Sequence, residues 1–235
     1  MYETHTYKDD AILSPDIRER WDFVETSSAC AVMRYVCPDE WQDIVTVLKT
    51  FSLDPAHWLK KGGNRGEIAK QIDDMFAAKG WQETRIDLET QGILINKGGS
   101  ERARLRSVYQ EGYLVDNFKG RVVVDVEWNA KDGNLDRDLS AYRSWHEAGL
   151  IAAAVLITQN RSALKPLAER LWGDFQKTLP ENEKNPKLPI DLSTSTTTNL
   201  EKVELRVRRG VMGTCPLLVV AVNEATWNQQ PYSVE

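Results

Sequence analysis

Three carboxylates set close together have the types and spacing for chemistry: Asp116, Asp125 and Glu127, in the stretch LVDNFKGRVVVDVEWN. Residues 125 and 127 are two apart, so on an extended strand both side chains point to one face while Val124 and Val126 point to the other. Two like charges held side by side in a buried sheet destabilise the fold or take up protons unless a cation neutralises them. Oxygen donors with no His or Cys nearby suit a hard divalent ion, magnesium or manganese rather than zinc. A one-sided strand whose polar face meets water accounts equally well for Asp125 and Glu127. It does not account for Asp116, which a hairpin turn over residues 117–120 returns to the side of Asp125.

The surrounding sequence supplies elements to hold such a cluster. Pro38 to Thr50 reads as a helix with Trp41, Ile44, Val45 and Leu48 on one face. Asn64 and Glu67 have capping-box spacing ahead of Ile68, Ile72, Met75 and Phe76, and Gly80 stops that second helix. Trp81 to Leu88, Gly92 to Asn96 and Leu105 to Val115 read as extended segments, followed by the much stronger strand Arg121 to Trp128. A helix carrying Leu135, Leu139, Tyr142 and His146 leads to Ile151 to Thr158, whose unbroken apolar run marks a strand covered on both faces. Asp132, Asn134, Asp136 and Asp138 lack the spacing of a calcium loop and read as a solvated helix start. Leu179 to Thr198 is expected to be a long surface loop, with a helix on Leu200, Val203 and Val207 and a strand at Pro216 to Val222 beyond it. The order helix, strands, helix, strand predicts an α/β/α layered fold, a central mixed β-sheet flanked by helices.

Composition bounds the reading. The chain has 235 residues, is 41% hydrophobic and contains no run long enough to span a bilayer, and it opens without the apolar stretch of a signal peptide, so a soluble cytoplasmic protein is expected. Cys30, Cys37 and Cys215 are read as reduced, mostly buried thiols. A net charge of −5 argues against diffuse binding to phosphates. Two basic clusters, Arg102/Arg104/Arg106 and Arg206/Arg208/Arg209, are either local phosphate contacts or solvated faces.

The pattern Asp116-x8-Asp125-Val126-Glu127 resembles the active-site motif of the PD-(D/E)xK nuclease superfamily. The longer stretch VVVDVEWNAKDGNLDRDLSAYRSWHE, with IAAAVLIT after it, is similar to type II restriction endonucleases of the BglII/BstYI family. GGNRGEIAKQIDDMFAAKGWQETRID and NLEKVELRVRRGVMGTCPLLVVAVNE also look like that family, so the likeness runs from about Lys60 onward. It implies one restriction-endonuclease-like domain: an N-terminal helical and strand extension over 1–60, a catalytic core over 61–160, and a C-terminal DNA-recognition and sheet-completing part over 161–235.

The resemblance implies Mg2+-dependent hydrolysis of double-stranded DNA at a short palindrome with a GATC core, leaving 5′-phosphate and 3′-hydroxyl ends, with Mn2+ able to substitute. Asp116, Asp125 and the main-chain carbonyl of Val126 would hold the ion. Glu127 stands where most of the superfamily has Lys, and an acidic residue there either activates the attacking water or binds a second ion. Glu67 is a fourth catalytic candidate on the first core helix, though its capping position explains it equally. Asn129, Lys131, Asn160 and Arg161 are the expected DNA contacts, Asn and Arg suiting base edges and Lys suiting phosphate. A palindrome implies a homodimer, with Leu139, Tyr142 and Trp145 as candidate contacts or as core, and a cognate methyltransferase in the same system. Two other readings remain: a repair or structure-selective nuclease, and a catalytically inactive DNA-binding module on the same fold.

Overall fold

The computed structural model describes residues 3–60, 66–193 and 196–233. In chain order the elements are β1 (Glu3–Thr4), α1 (Pro15–Arg18), β2 (Trp21–Thr26), α2 (Ala29–Val36), α3 (Pro38–Thr50), α4 (Pro55–Trp58) and α5 (Glu67–Ala77). Four strands follow, β3 (Gln82–Thr90), β4 (Ile93–Ile95), β5 (Glu101–Arg104) and β6 (Val108–Lys119), and then β7 (Val122–Val126). The chain closes with α6 (Asp132–Glu147), β8 (Ala153–Gln159), α7 (Arg161–Thr178), α8 (Leu200–Arg208) and β9 (Leu217–Val222).

Seven strands form one mixed sheet in the order β1-β2-β9-β8-β7-β6-β3. Its centre, β9-β8-β7, is parallel, and antiparallel strands flank it on both sides. The central strands are buried along their whole length, which is why their sequences are almost continuously apolar. Val122, Val124 and Val126 face one core layer with α3, α5 and α7. Val123 faces the opposite layer, built on Leu135, Leu139, Tyr142 and Trp145 of α6 and on Val203 and Val207 of α8. Period-two alternation therefore aims Asp125 and Glu127 at α6.

The structure departs from the sequence expectations in several places. Residues 117–119 are the end of β6 rather than a turn; the reversal is the two-residue loop Gly120-Arg121 between the paired Lys119 and Val122. Gly120 has φ +54°, which suits the primed hairpin turns that match strand twist. Residues expected to be an N-terminal extension supply β2, paired with β9 along its whole length. Helix α7 was not anticipated: Leu164, Leu167 and Leu171 carry its buried stripe, but Pro166 lies inside it and removes one ladder hydrogen bond. Helix α5 begins at Glu67 with Gly66 as its N-cap, so Glu67 occupies the first helical position and not the third, while Asn64 lies outside the described residues. Strands β3 and β6 run out from the sheet as a ribbon, with β4 and β5 beyond it; Ile93, Ile95, Val108, Tyr109 and Leu114 are exposed there.

The basic cluster on α8 is structural at its first member. Arg206 reaches Asp132 at 3.0 Å and Asp136 at 2.8 Å, tying α8 to the start of α6. Substituting Arg206→Leu is expected to destabilise the protein by about 1–3 kcal/mol, the scale for breaking hydrogen bonds to charged groups. DNA affinity per folded molecule should not change. Urea unfolding and a salt-dependent binding titration check both, and a weaker salt dependence of binding would show that Arg206 meets phosphate instead.

Candidate active site

The register Asn117↔Val124 places Asp116 opposite Asp125 across the antiparallel pair β6/β7. There the ordinary ladder gives way to side-chain bonds. The Asp116 amide donates to Asp125 Oδ1 at 2.7 Å, and the Val126 amide donates to Asp116 Oδ2 at 2.9 Å. The strands part at this point, and Asp116, Val126 and Glu127 line a cavity of about 300 Å3 together with Asp73, Glu83, Trp128 and Asn129.

Asp125 and Glu127 are buried, at 5% and 8% exposure. Burial pushes the Asp125 carboxyl up to about 7, the Asp116 charge adds to the rise, and the hydrogen bond donated by the Tyr142 hydroxyl opposes it. Burial likewise holds the Glu127 carboxyl well above the usual range, with Asp138, Asp125 and Asp116 contributing in that order. Glu127 Oε2 is buried with no hydrogen-bond partner outside its pairing with Asp138. Among the described residues no three acidic, His or Cys side chains are gathered closely enough to hold an ion as they stand. An all-oxygen donor set, a carboxylate oxygen lacking any outside donor and anions destabilised by burial nevertheless fit a hard divalent cation at this cavity.

The other residues singled out in the sequence fall in different places. Glu67 lies away from the cavity, bonded to Lys60 at 2.6 Å with His57 at 3.8 Å. The carboxylate that α5 does bring to the cavity is Asp73, whose Oδ1 accepts from Asn117 Nδ2 at 2.9 Å. Asn129 is exposed on the cavity rim, and Lys131, also exposed, is the N-cap residue of α6. Asn160 caps α7, accepting from the Ala163 amide and donating to Asp22 at 2.8 Å. Arg161 is buried, and its guanidinium donates to Thr197. Leu139, Tyr142 and Trp145 are core rather than free surface. Asp138 is not part of a solvated helix start: it is 5% exposed and sits behind Glu127.

The family model described as restriction endonuclease BglII/BglIII matches residues 21–222. The chain belongs to this family. No curated protein matches it. It is a type II restriction endonuclease, a site-specific hydrolase of DNA, in a family whose members generally use divalent metal ions. The match spans β2 through β9, so it takes in the whole sheet except the short edge strand β1.

Asp73, Glu83 and Asp138 were missed in the sequence, and Glu83, on a strand read only as extended, carried no signal. Asp73 carried a signal, since it follows Ile72 on an amphipathic helix and its neighbours Ile72 and Phe76 are core. Asp138 carried one too, lying between Leu135 and Leu139 on the inward stripe of α6.

The raised Asp125 carboxyl fixes the sign of a pH effect. A carboxyl whose folded pKa exceeds its unfolded value contributes stability that is present at low pH and is lost as pH rises through the folded pKa. Between about pH 4 and pH 7 the metal-free protein should therefore lose on the order of 4 kcal/mol from this group. Asp125→Asn, which keeps an acceptor for the Asp116 amide, is expected to match the parent protein near pH 3.5 and to exceed it in stability at pH 8.5 without metal. Urea unfolding at the two pH values tests this; equal stability at pH 8.5 would mean that Asp125 is not strained as an anion.

Proposed function

We propose that this enzyme hydrolyses double-stranded DNA with Mg2+, and that Mn2+ substitutes. Its target is a short palindrome with a GATC core, and it leaves 5′-phosphate and 3′-hydroxyl ends. The observation that carries the reading is the bonding of Asp116 to Asp125 and to the Val126 amide where β6 and β7 part, beside a cavity lined by Asp116, Val126 and Glu127. Asp116, Asp125 and the Val126 carbonyl would hold the ion. When bound, it would supply positive charge to offset the negative charge that builds up on a phosphate during displacement.

The protein's own residues do the rest. Glu127, destabilised as an anion by its surroundings, takes a proton from the attacking water and orients it. Tyr142 holds Asp125 by donating to it from the core side. Asp73 and Glu83, the further carboxylates in the cavity, add to its negative lining. Glu67, bonded to Lys60, has a structural part at the start of α5.

Asn129 and Lys131 face the duplex, Asn129 at a base edge and Lys131 at phosphate. Asn160 and Arg161 act one step back: Asn160 fixes the start of α7, and Arg161 ties it to Thr197 in the long loop before α8. Residues 130–132 pair with 196–198 through the bonds Thr198 N to Ala130 O and Asp132 N to Thr196 O, both 2.9 Å, which couples that loop to the exit of the catalytic strand. Two copies bind the palindrome. The exposed apolar residues of the β3–β6 ribbon offer contact surface that Leu139, Tyr142 and Trp145, buried in the core, do not. The enzyme works in the cytoplasm beside a methyltransferase that protects the host sites.

Plasmid DNA with Mg2+ should be cut to discrete fragments whose ends map to one sequence. Asp125→Ala should lower kcat at least ~10³-fold, the scale of losing a principal transition-state charge stabiliser. Undiminished cutting by Asp125→Ala refutes the mechanism. Ends scattered over sequences but clustered at junctions or flaps would indicate a structure-selective nuclease, and binding without cleavage in either metal would indicate an inactive module.

A further inference from the structure

Helix α6 follows β7 and leads to the parallel strand β8, so it runs antiparallel to β7 across its face. Residues four apart on a helix are separated by ~6 Å along its axis, and residues two apart on a strand by ~6.6 Å. The spacings match, and the opposed directions set Tyr142 behind Asp125 and Asp138 behind Glu127. The Tyr142 bond to Asp125 is made. Asp138 and Glu127 meet differently, as two buried carboxyls whose Oδ2 and Oε2 atoms find no other donor and which bond to each other by sharing a proton.

Asp138 is not free to turn away. Its Oδ1 accepts from Arg137 Nε at 2.7 Å, and the Arg137 guanidinium lies 5.3 Å from the Tyr113 ring centroid on β6. Arg137 therefore fixes one oxygen of Asp138 and leaves the other facing Glu127. A hydrogen bond shared between the two carboxyls ties the Glu127 side chain to the anchored Asp138 at the edge of the cavity that Glu127 lines.

We propose that Asp138, anchored by Arg137, is a positioning residue that holds the Glu127 carboxylate in its water-activating orientation. This rests on the reading of Glu127 as the group that activates water. Removing the Asp138 carboxyl leaves room for Glu127 to fold back toward α6. An amide at the same place keeps an acceptor for Arg137 and presents an N–H to Glu127 Oε2, so the side chain stays fixed.

The test compares Asp138→Ala, Asp138→Asn and Glu127→Gln in the full-length enzyme. Asp138→Ala should lower kcat on the order of 10²-fold, the scale for a reacting group misplaced by an ångström. Its KM, its DNA affinity in EDTA and its Mn2+ affinity by calorimetry should be unchanged. Asp138→Asn should recover most of the lost kcat. Wild-type kcat in Asp138→Ala, with Glu127→Gln inactive, overturns the inference while sparing the role of Glu127. Full activity in Glu127→Gln overturns that role and the inference with it. Loss of Mn2+ binding in both Asp138 variants would make Asp138 a metal ligand, and loss of kcat in step with DNA affinity and thermal stability would make it structural; either result overturns the positioning role.

Discussion

The candidate site follows from placing negative charge where water is scarce. Asp125 and Glu127 sit on a strand buried on both faces, beneath a helix, with Asp116 across the hairpin. Desolvation raises both buried carboxyls, and their neighbours raise them further. A site of this kind is unstable as a set of anions and is stabilised by a cation. The energy that a divalent ion would gain there is set by how firmly the fold refuses to let the carboxylates separate or hydrate.

The sheet supplies that refusal. The parallel strands β9, β8 and β7 share a continuous ladder whose side chains are interior on both faces, so β7 cannot slip by one residue without turning Asp125 and Glu127 into the opposite core layer. The tight reversal at Gly120-Arg121 holds β6 in register, which puts Asp116 opposite Asp125. Helix α6 closes the far side with Tyr142 and Asp138, and α8 is pinned to α6 through Arg206. The cavity opens where β6 and β7 part, and Asp73 of α5 enters it from the other layer.

Much of this was legible in the sequence because period-two and helical patterns are local. The Val-rich strand, the shared face of Asp125 and Glu127, helix α3 and the central strands β8 and β9 lie within two residues of their expected limits. Less legible was what depends on distant partners. Helix α7 was obscured by Pro166, and β2 by polar residues that alternate on a strand next to β9. Asn160 and Arg161 have the chemistry of base readers, yet a helix cap and a buried tie to Thr197 use the same donors and acceptors. Glu67 and Asp73 share a helix, and only packing decides which of them reaches the cavity. Asp138, read among acidic neighbours as a solvated residue, differs from Asp132 and Asp136 because it falls on the inward stripe while they meet Arg206.

Asp125 and Glu127 should be protonated in part until a cation arrives. Isothermal titration of Mg2+ or Mn2+ into the metal-free protein, in buffers of differing ionisation enthalpy, counts the protons released on binding. With Asp125 at about 7 and Glu127 held above the ordinary range, binding at pH 7 should release close to ~1 proton, the release should vanish by pH 9, and Asp125→Asn should diminish it. Metal binding at pH 7 with no proton release, or with a release that Asp125→Asn leaves untouched, would contradict this partial protonation.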